Sequence, residues 1–527
     1  MEFKFGGSEL NQKTVLGQPS GLFVLFFTEM WERFSYYGMR ALLVLFLTAS
    51  LLDEGWAWER DDALLLYGWY TGLVYITPVI GGYIADKLLG YRKAVVWGAL
   101  IMTLGHASMA LEGFTGAFFY LGLLFLIIGN GLFKPNISSI VGKLYKDEGK
   151  KKDAGYTIFY MGINAGAFLG ILMCGYLGEK VGWHWGFGLA GVFMFFGMLQ
   201  FFYAQSIFGN IGLKPDKDDN FIDSTAIEGE TEHIDQKADK SVSNKVKNDR
   251  LIVIGVLAFF SIFFWWAFEQ AGGSMTIFAG DYTDRLLTDE TAYIFKIINA
   301  VITVIPMLVI TWVLVMLFRQ TFGVHPLSNI FLATSFVIIW GVVIWMLYRE
   351  FTNDVAEVPA SWFTVLNSLF IIIFAPLFSK IWESKLNPSG PVKFAIGLVL
   401  LGLGFAFLSY GSFGIPQGAK TASVSMIWLI FAYLFHTLGE LCVSPVGLSY
   451  VSKLSPAKLV GLMFGVWFFA NFLANLLAGV TGSYIDIITE NYSMSTFFLI
   501  FTIIPAGAGV VMLAISKLLV NKMHGIK

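Results

Sequence analysis

"TEMWERFSYYGMRALLVLF", residues 28–46, lies inside an apolar stretch long enough to cross a bilayer and yet carries Glu29, Glu32, Arg33 and Arg40. A charge at membrane depth costs about 3 kcal/mol or more unless it is paired or wet. At about 100° per residue, Glu29, Arg33, Tyr36, Tyr37 and Arg40 share one helix face, with Glu32 at its flank. Met30, Phe34, Leu42, Leu43 and Phe46 are apolar. The polar stripe is therefore expected to face a bundle interior or a water-filled cavity. The structural alternative is an inert Glu29–Arg33 pair, one turn apart, that only holds helices together. Four ionisable groups on one span make function the stronger reading.

The rest of the chain has the composition that such a span demands. Of 527 residues, 56% are hydrophobic and 14% charged, and the mean hydropathy is +0.68, well outside the usage of soluble domains. A net charge of -2 gives no basic surface for nucleic acid. Cys174 and Cys442 lie in separate apolar segments and read as packing residues rather than a disulfide framework. The first twenty residues lack the apolar core of a secretory signal, so the first hydrophobic segment is expected to be retained as a span.

With roughly 20 apolar residues needed per crossing, spans are expected near 21–51, 63–85, 93–112, 116–142, 155–180 and 184–205. Residues 212–250, "GLKPDKDDNFIDSTAIEGETEHIDQKADKSVSNKVKNDR", then read as a hydrophilic linker. Further spans follow near 251–280, 292–318, 327–348, 360–382, 392–411, 425–452, 459–484 and 494–518. The expected organisation is a six-helix N-terminal bundle over 1–205, a linker over 206–250, and a C-terminal bundle over 251–527 that includes two additional helices near 292–348. This is an all-α polytopic membrane protein of about fourteen helices in total. Lys and Arg gather in "DKLLGYRK", "GKLYKDEGKKKD", the linker, "SKIWESKLNPSGPVK" and the C-terminal "SKLLVNKMHGIK", which places both termini in the cytoplasm of a cell whose inner membrane holds the chain.

Two helix sets joined by a polar linker suit bundles that rock against each other during transport. "GGYIADKLLGYRK", residues 81–93, resembles the loop motif of the major facilitator superfamily, with Gly82, Asp86, Gly90, Arg92 and Lys93 in order. Gly82 would permit close helix approach, and the basic pair would grip helix termini. Other spans carry matching oddities. Lys134 stands mid-span beside Pro135. Tyr156, Tyr160 and Asn164 recur at i, i+4 spacing. Glu440 and Ser444 lie one turn apart before Pro445. One half thus offers mostly cations and the other a buried carboxylate, a pairing suited to a zwitterion: its carboxylate to Arg33 and Lys134, its ammonium to Glu440.

At these residues the chain resembles the proton-coupled oligopeptide transporter family of the major facilitator superfamily. "EMWERFSYYGMR" matches that family's E-x-x-E-R-F-x-Y-Y pattern, "GNGLFKPN" its lysine-bearing fourth helix and "FYMGINAG" its F-Y-x-x-I-N-x-G. "WWAFEQAGGS", "LNSLFIIIFAP", "GELCVSPVGLS" and "GVWFFANFLANLLAG" are similar to its seventh, eighth, tenth and eleventh helices. The resemblance implies two six-helix bundles plus two extra helices, and symport of di- and tripeptides with protons as coupling ion and no other cofactor or metal. It implies Arg33 and Lys134 for the peptide carboxylate, Glu440 for the amino end, and Asn164 and Asn367 for the peptide backbone. Tyr37, Tyr75, Tyr160, Ser444 and Trp467 would line the pocket. Glu29 and Glu32, acting on Arg33 and Lys134, would couple the proton. Arg40 with Asp281 would form an outer gate.

The sequence departs from the family in three places. The second helix, "ALLLYGWYTGLVYITP", has no histidine; His436, one turn before Glu440, is a substitute for it only if it is not simply a core residue. Leu132 and Phe133 stand where smaller residues are usual, and the extra helices follow the seventh-helix motif, where bacterial members commonly place a pair between the sixth and seventh. Lys296 in the first extra helix would snorkel. The rival readings are a transporter of the same fold for another solute, such as nitrate or a drug, and a membrane enzyme. Nitrate has no need of Glu440. An enzyme would be expected to show H-E-x-x-H, a phosphate loop or a G-x-S-x-G elbow, and the sequence has none of them.

Overall fold

The computed structural model describes residues 4–146, 149–214, 243–456 and 459–526. Fourteen long helices carry the described chain: α1 (Ser20–Thr48), α2 (Arg60–Ile84), α3 (Tyr91–Ala110), α4 (Gly116–Lys143), α5 (Lys150–Lys180), α6 (Trp183–Ala204), α7 (Asn244–Phe268), α8 (Asp289–Thr321), α9 (Pro326–Thr352), α10 (Val365–Glu383), α11 (Gly390–Gly411), α12 (Ile427–Leu454), α13 (Val460–Ser483) and α14 (Met494–Lys522). Twelve helical segments among the described residues are long and apolar enough to cross a membrane, and the protein is multi-pass. Helices α1 and α3 are not in that set. The first is loaded with the four charges of its polar stripe, and the second is diluted by glycine, alanine and three basic side chains.

Each expected span is met by a helix, with ends shifted by a few residues. The seventh differs most: α7 ends at Phe268, and "EQAGGS" continues as a 3-10 turn over Glu269–Gly272, a short helix over Ser274–Ile277 and a π turn over Phe278–Tyr282. The paired Gly272 and Gly273 break the ladder there, Gly273 at φ -117° and ψ -105°. Of the expected linker, residues 215–242 lie outside the described residues.

The chain resolves into two compact units. The first comprises residues 1–42, 77–229 and 285–362, and the second 43–76, 230–284 and 363–527. In the first unit, α3 packs along α4 and α6, and α1 lies on α5 through a ladder of small residues. A methyl group on Gly162 would meet Phe26, one on Gly166 would sit 2.1 Å from Met30 O, and one on Gly170 2.2 Å from Phe34 O. These glycines recur every fourth residue, so one face of α5 lets the α1 backbone come close, as in small-xxx-small membrane packing. The loop motif behaves partly as expected. Arg92 grips the carbonyls that follow α6, Nε donating to Ile211 O at 2.5 Å and Nη2 to Gly209 O. The close approach, however, is made by Gly81, where a methyl would fall 1.9 Å from Gly131 O. Gly82 has only Pro135 near it, at 3.9 Å. One residue is a rotation of about 100°, enough to move the small position off the α4 contact.

The extra pair, α8 and α9, belongs to the first unit, whereas chain order alone had grouped it with 251–527. Hydrogen bonds explain the choice. Ser328 Oγ donates to Gln200 O (2.7 Å), Tyr176 hydroxyl to Glu350 Oε1 (2.8 Å) and Trp362 Nε1 to Leu172 O (2.9 Å). Phe336 packs edge-on against Trp31 and Phe27. Glu179 at the end of α5 accepts the backbone N–H groups of Ala360 and Ser361. Beside it, burial opposes the Glu357 carboxylate, but Lys180 and Arg285 hold its pKa below the ordinary value. That contribution is present above the ordinary carboxylate pKa and is lost as pH falls through the lowered one. Lys296 is buried, and its ammonium donates to Asn353 O just beyond the end of α9.

In the second unit α11 packs on α12 and α14, and α7 on α13. The α2 segment packs on α13 with Gly68 against Gly479, where a methyl on Gly68 would lie 2.7 Å from Gly479 Cα, and with Gly72 against Phe472. Two-residue strand pairs join Thr283–Asp284 to Val424–Ser425 in parallel within this unit, and Leu286–Leu287 to Ala356–Glu357 antiparallel within the first. Gly166→Val is expected to cost about 1–3 kcal/mol through forced separation of α1 and α5, read as a lowered melting temperature in detergent. Gly465→Ala, which meets nothing within 4 Å, is expected not to lower it.

Candidate functional site

In the first unit the charges of α1 are buried together. Side chains of Glu29, Glu32 and Arg33 are 2%, 0% and 4% exposed. Arg33 Nε carries a single hydrogen, donated to Glu29 Oε1 at 2.8 Å; Glu32 Oε2, at 2.6 Å from the same nitrogen, is held by charge. Glu32 Oε1 accepts from Asn130 Nδ2 at 3.0 Å, and Lys134 acts on Glu32 as a further cation. The guanidinium lies 5.8 Å from the Tyr36 ring centroid and feels Tyr37 electrostatically. Glu29 Oε2 and Arg33 Nη2 are buried with no hydrogen-bond partner among the described residues. Such atoms are costly in a finished core and useful in a site that awaits a ligand.

The α5 ladder fixes this arrangement, since a methyl on Gly166 would also lie 2.9 Å from Arg33 Cβ. On the same helix Asn164 turns its Nδ2 back to Tyr160 O at 3.0 Å, and Tyr160 is exposed. Expected carboxylate-binding and proton-coupling residues thus meet in one place, α1 supplying Glu29, Glu32 and Arg33 and α4 supplying Lys134. Asn130 was missed by sequence reading, although its place one turn before Lys134 in an apolar helix was a usable signal.

The second unit assembles a smaller group. Asn367 Nδ2 donates to Glu440 Oε2 (2.8 Å) and to Thr437 Oγ1 (3.1 Å), tying α10 to α12. Ser444 is exposed one turn further along. Trp467 is buried with its indole against Gly447, where a methyl would meet Cζ2 at 2.3 Å. Tyr75 is half-buried on α2. His436 is enclosed by aromatic rings, Phe405 at 4.4 Å and Phe268 and Tyr433 beyond it, and neither ring nitrogen has a hydrogen-bond partner among the described residues. Its neighbours are packed rings, and among the described residues no carboxylate pairs with it.

Asp281 sits in a charged hub. Arg60 Nη2 meets Asp281 Oδ2 at 2.6 Å, and its Nη1 meets Asp486 Oδ1 and the Tyr282 hydroxyl, each at 2.9 Å. Lys420 reaches Asp486 (3.3 Å) and Glu490 (3.0 Å). Arg60 is thus a cation on Asp281 that sequence reading did not name. "WERDD" reads as loop, and nothing in one dimension shows that its arginine reaches residues more than two hundred positions away.

The polar α1 triad, the α4 lysine and the Asn367–Glu440 pair set the expectation for the comparisons with known proteins. A model of the POT family matches residues 92–344 and 333–498. The chain belongs to that family. A peptide transporter of Yersinia enterocolitica, YePEPT, is 32% identical over 90% of this chain and 89% of its own. A di-/tripeptide transporter of Lactococcus lactis subsp. cremoris is 30% identical over 98% of this chain and 99% of its own. Among solved structures, a peptide transporter POT crystallised with sulfate aligns with a TM-score of 0.73 and 29% identity over 97% of each chain. The fold is that of the major facilitator superfamily.

In this POT-family chain, Arg60→Ala is expected to be thermodynamically coupled to Asp281→Ala. Because the Asp281 side chain is 40% exposed, against 12% for Arg60, screening limits that coupling to about 0.5–1 kcal/mol. A double-mutant cycle of thermal stability in detergent checks it, with the coupling falling as salt is raised.

Proposed function

We propose that this protein is a proton-coupled symporter that imports di- and tripeptides by alternating access, set in the inner membrane with both termini cytoplasmic. The observation that carries the reading is Arg33, buried between two carboxylates with Nη2 left without a hydrogen-bond partner among the described residues. The Yersinia and Lactococcus relatives, named for peptide and di-/tripeptide transport, support the same substrate class. The Lys/Arg-bearing connections support the orientation.

Charge balance gives the coupling. Glu29, Glu32, Arg33 and Lys134 sum to zero when all are ionised. A peptide carboxylate arriving alone would leave one net negative charge at low dielectric, and a proton arriving alone one net positive charge. Both together restore neutrality, so each favours the other's binding. A proton on Glu29 or Glu32 removes one carboxylate's claim on Arg33 and frees the guanidinium and Lys134 for the peptide's carboxyl end. Loss of that proton to the cytoplasm lets the carboxylate reclaim Arg33 and helps expel the peptide. Glu440, already oriented by Asn367, takes the peptide's amino end, and Asn164 and Asn367 its backbone. Tyr37, Tyr75, Tyr160, Ser444 and Trp467 contribute pocket walls whose aromatic faces tolerate varied side chains. Asp281, held by Arg60, and Arg40 are proposed for gating. The membrane potential adds about 2.3 kcal/mol per charge per 100 mV to inward proton movement.

Labelled dialanine is expected to accumulate in proteoliposomes under an inward proton gradient and not without one. Glu29→Gln or Glu32→Gln is expected to abolish accumulation while keeping some counterflow exchange; full concentrative uptake by both variants would sink the coupling scheme. Arg33→Lys is expected to lower uptake about tenfold or more, because a point ammonium cannot serve two carboxylates and a ligand from one plane. Glu440→Ala is expected to penalise peptides with free amino ends more than N-blocked ones, and equal losses would remove its assignment.

A further inference from the structure

The N-terminal segment before α1 is built as a fixed piece of the first unit, and it delivers a lysine to another lysine. Phe5 is 2% exposed, its N–H donating to Gln12 Oε1 (2.8 Å) and its carbonyl accepting from Gln12 Nε2 (2.9 Å). Its ring meets Tyr145 edge-on at 6.0 Å, and Gly6 N–H donates to Leu144 O at 2.8 Å. Gln18 completes the dock by accepting from the Tyr145 hydroxyl (2.8 Å) and donating to Lys151 O (3.3 Å). Anchored in this way, Lys4 and Lys151 bring their ammonium groups to 5.9 and 4.9 Å from the centre of the same Phe5 ring.

Like charges gathered on one ring repel, by about 1 kcal/mol in water at a separation of roughly 4 Å. Among the described residues no carboxylate pairs with either of them. The ring offers only its weakly negative face. What this arrangement suits is an anion whose charge is spread over more than one oxygen, held between the two ammoniums. Position selects the kind. Lys151 is in the first turn of α5, and exposed Lys143, Lys146 and Lys150 stand at the last turn of α4, in the loop after it and at the α5 start. Such helix ends are at headgroup depth. Leu16, two residues from Gln18 in the tip of the hairpin that pairs Thr14–Val15 with Gln18–Pro19, is 48% exposed and offers an apolar contact at the same level. We infer that Lys4 and Lys151, docked by Phe5, form a binding site for the phosphate headgroup of an anionic membrane lipid.

The test uses the full chain in detergent, titrated with phosphatidylglycerol or phosphatidylcholine and read by native mass spectrometry. Lys4→Gln with Lys151→Gln is expected to remove one retained phosphatidylglycerol and weaken its binding about 30-fold, leaving phosphatidylcholine binding unchanged. Lys4→Arg with Lys151→Arg is expected to restore it. Lys4→Gln alone, at an exposed position, keeps the test decisive should the double variant be unstable, with a loss of about fivefold. Undiminished phosphatidylglycerol retention in both Gln variants would overturn the site. Displacement of the lipid by inorganic phosphate at equal concentration would overturn its assignment to lipid.

Discussion

One guanidinium shared by two buried carboxylates governs the first unit. Arg33 cannot be deprotonated, so its charge must be matched wherever the helix places it. Glu29 and Glu32 do this from the same helix, one turn and one residue away, and the geometry leaves Arg33 Nη2 over. Removing either acid from a region that excludes water would strand a charge. Sharing with a visiting carboxylate is the less costly way to change the balance. The polar stripe that looks like an error in a spanning helix is thus the element on which the proposed coupling of ligand and proton rests.

That triad depends on helices α1 and α5 meeting at backbone distance. Gly162, Gly166 and Gly170 make the meeting possible, and Met30 and Phe34 carbonyls fill the space that side chains would occupy. Lipid tails are as apolar as leucine, so close packing and hydrogen bonds, not burial from water, must hold such helices together. The same reasoning explains the extra pair. Its attachment to α5 and α6 runs through Ser328 and Glu350, with Trp362 bonding just after the pair, polar groups whose unsatisfied state in hydrocarbon would be costly.

The two polar groups use different means. On α1 the carboxylates are set by helical spacing. On α10 and α12 the carboxylate of Glu440 is oriented by an amide and seconded by Thr437. A carboxylate can accept an N–H bond and an ammonium together, which suits the amino end of a peptide. His436, one turn away, shows the contrast: an ionisable group with only rings around it takes part in packing.

The sequence by itself determined what depends on local periodicity and on the solvent. Twenty-residue apolar runs must become helices in a bilayer because their backbone groups can be satisfied nowhere else, and the i, i+4 spacing of Glu29 and Arg33 makes their pairing a property of the helix. Motif order was enough to name the α1 and α4 residues that meet. Only the tertiary structure decided which residue faces which across helices: that Gly81 rather than Gly82 makes the close approach, that Asn130 steadies Glu32, that Arg60 reaches Asp281, and that the extra pair sides with the first unit. These choices turn on single hydrogen bonds and on rotations of one residue about a helix axis, and a hydropathy pattern read along one dimension carries no information about either.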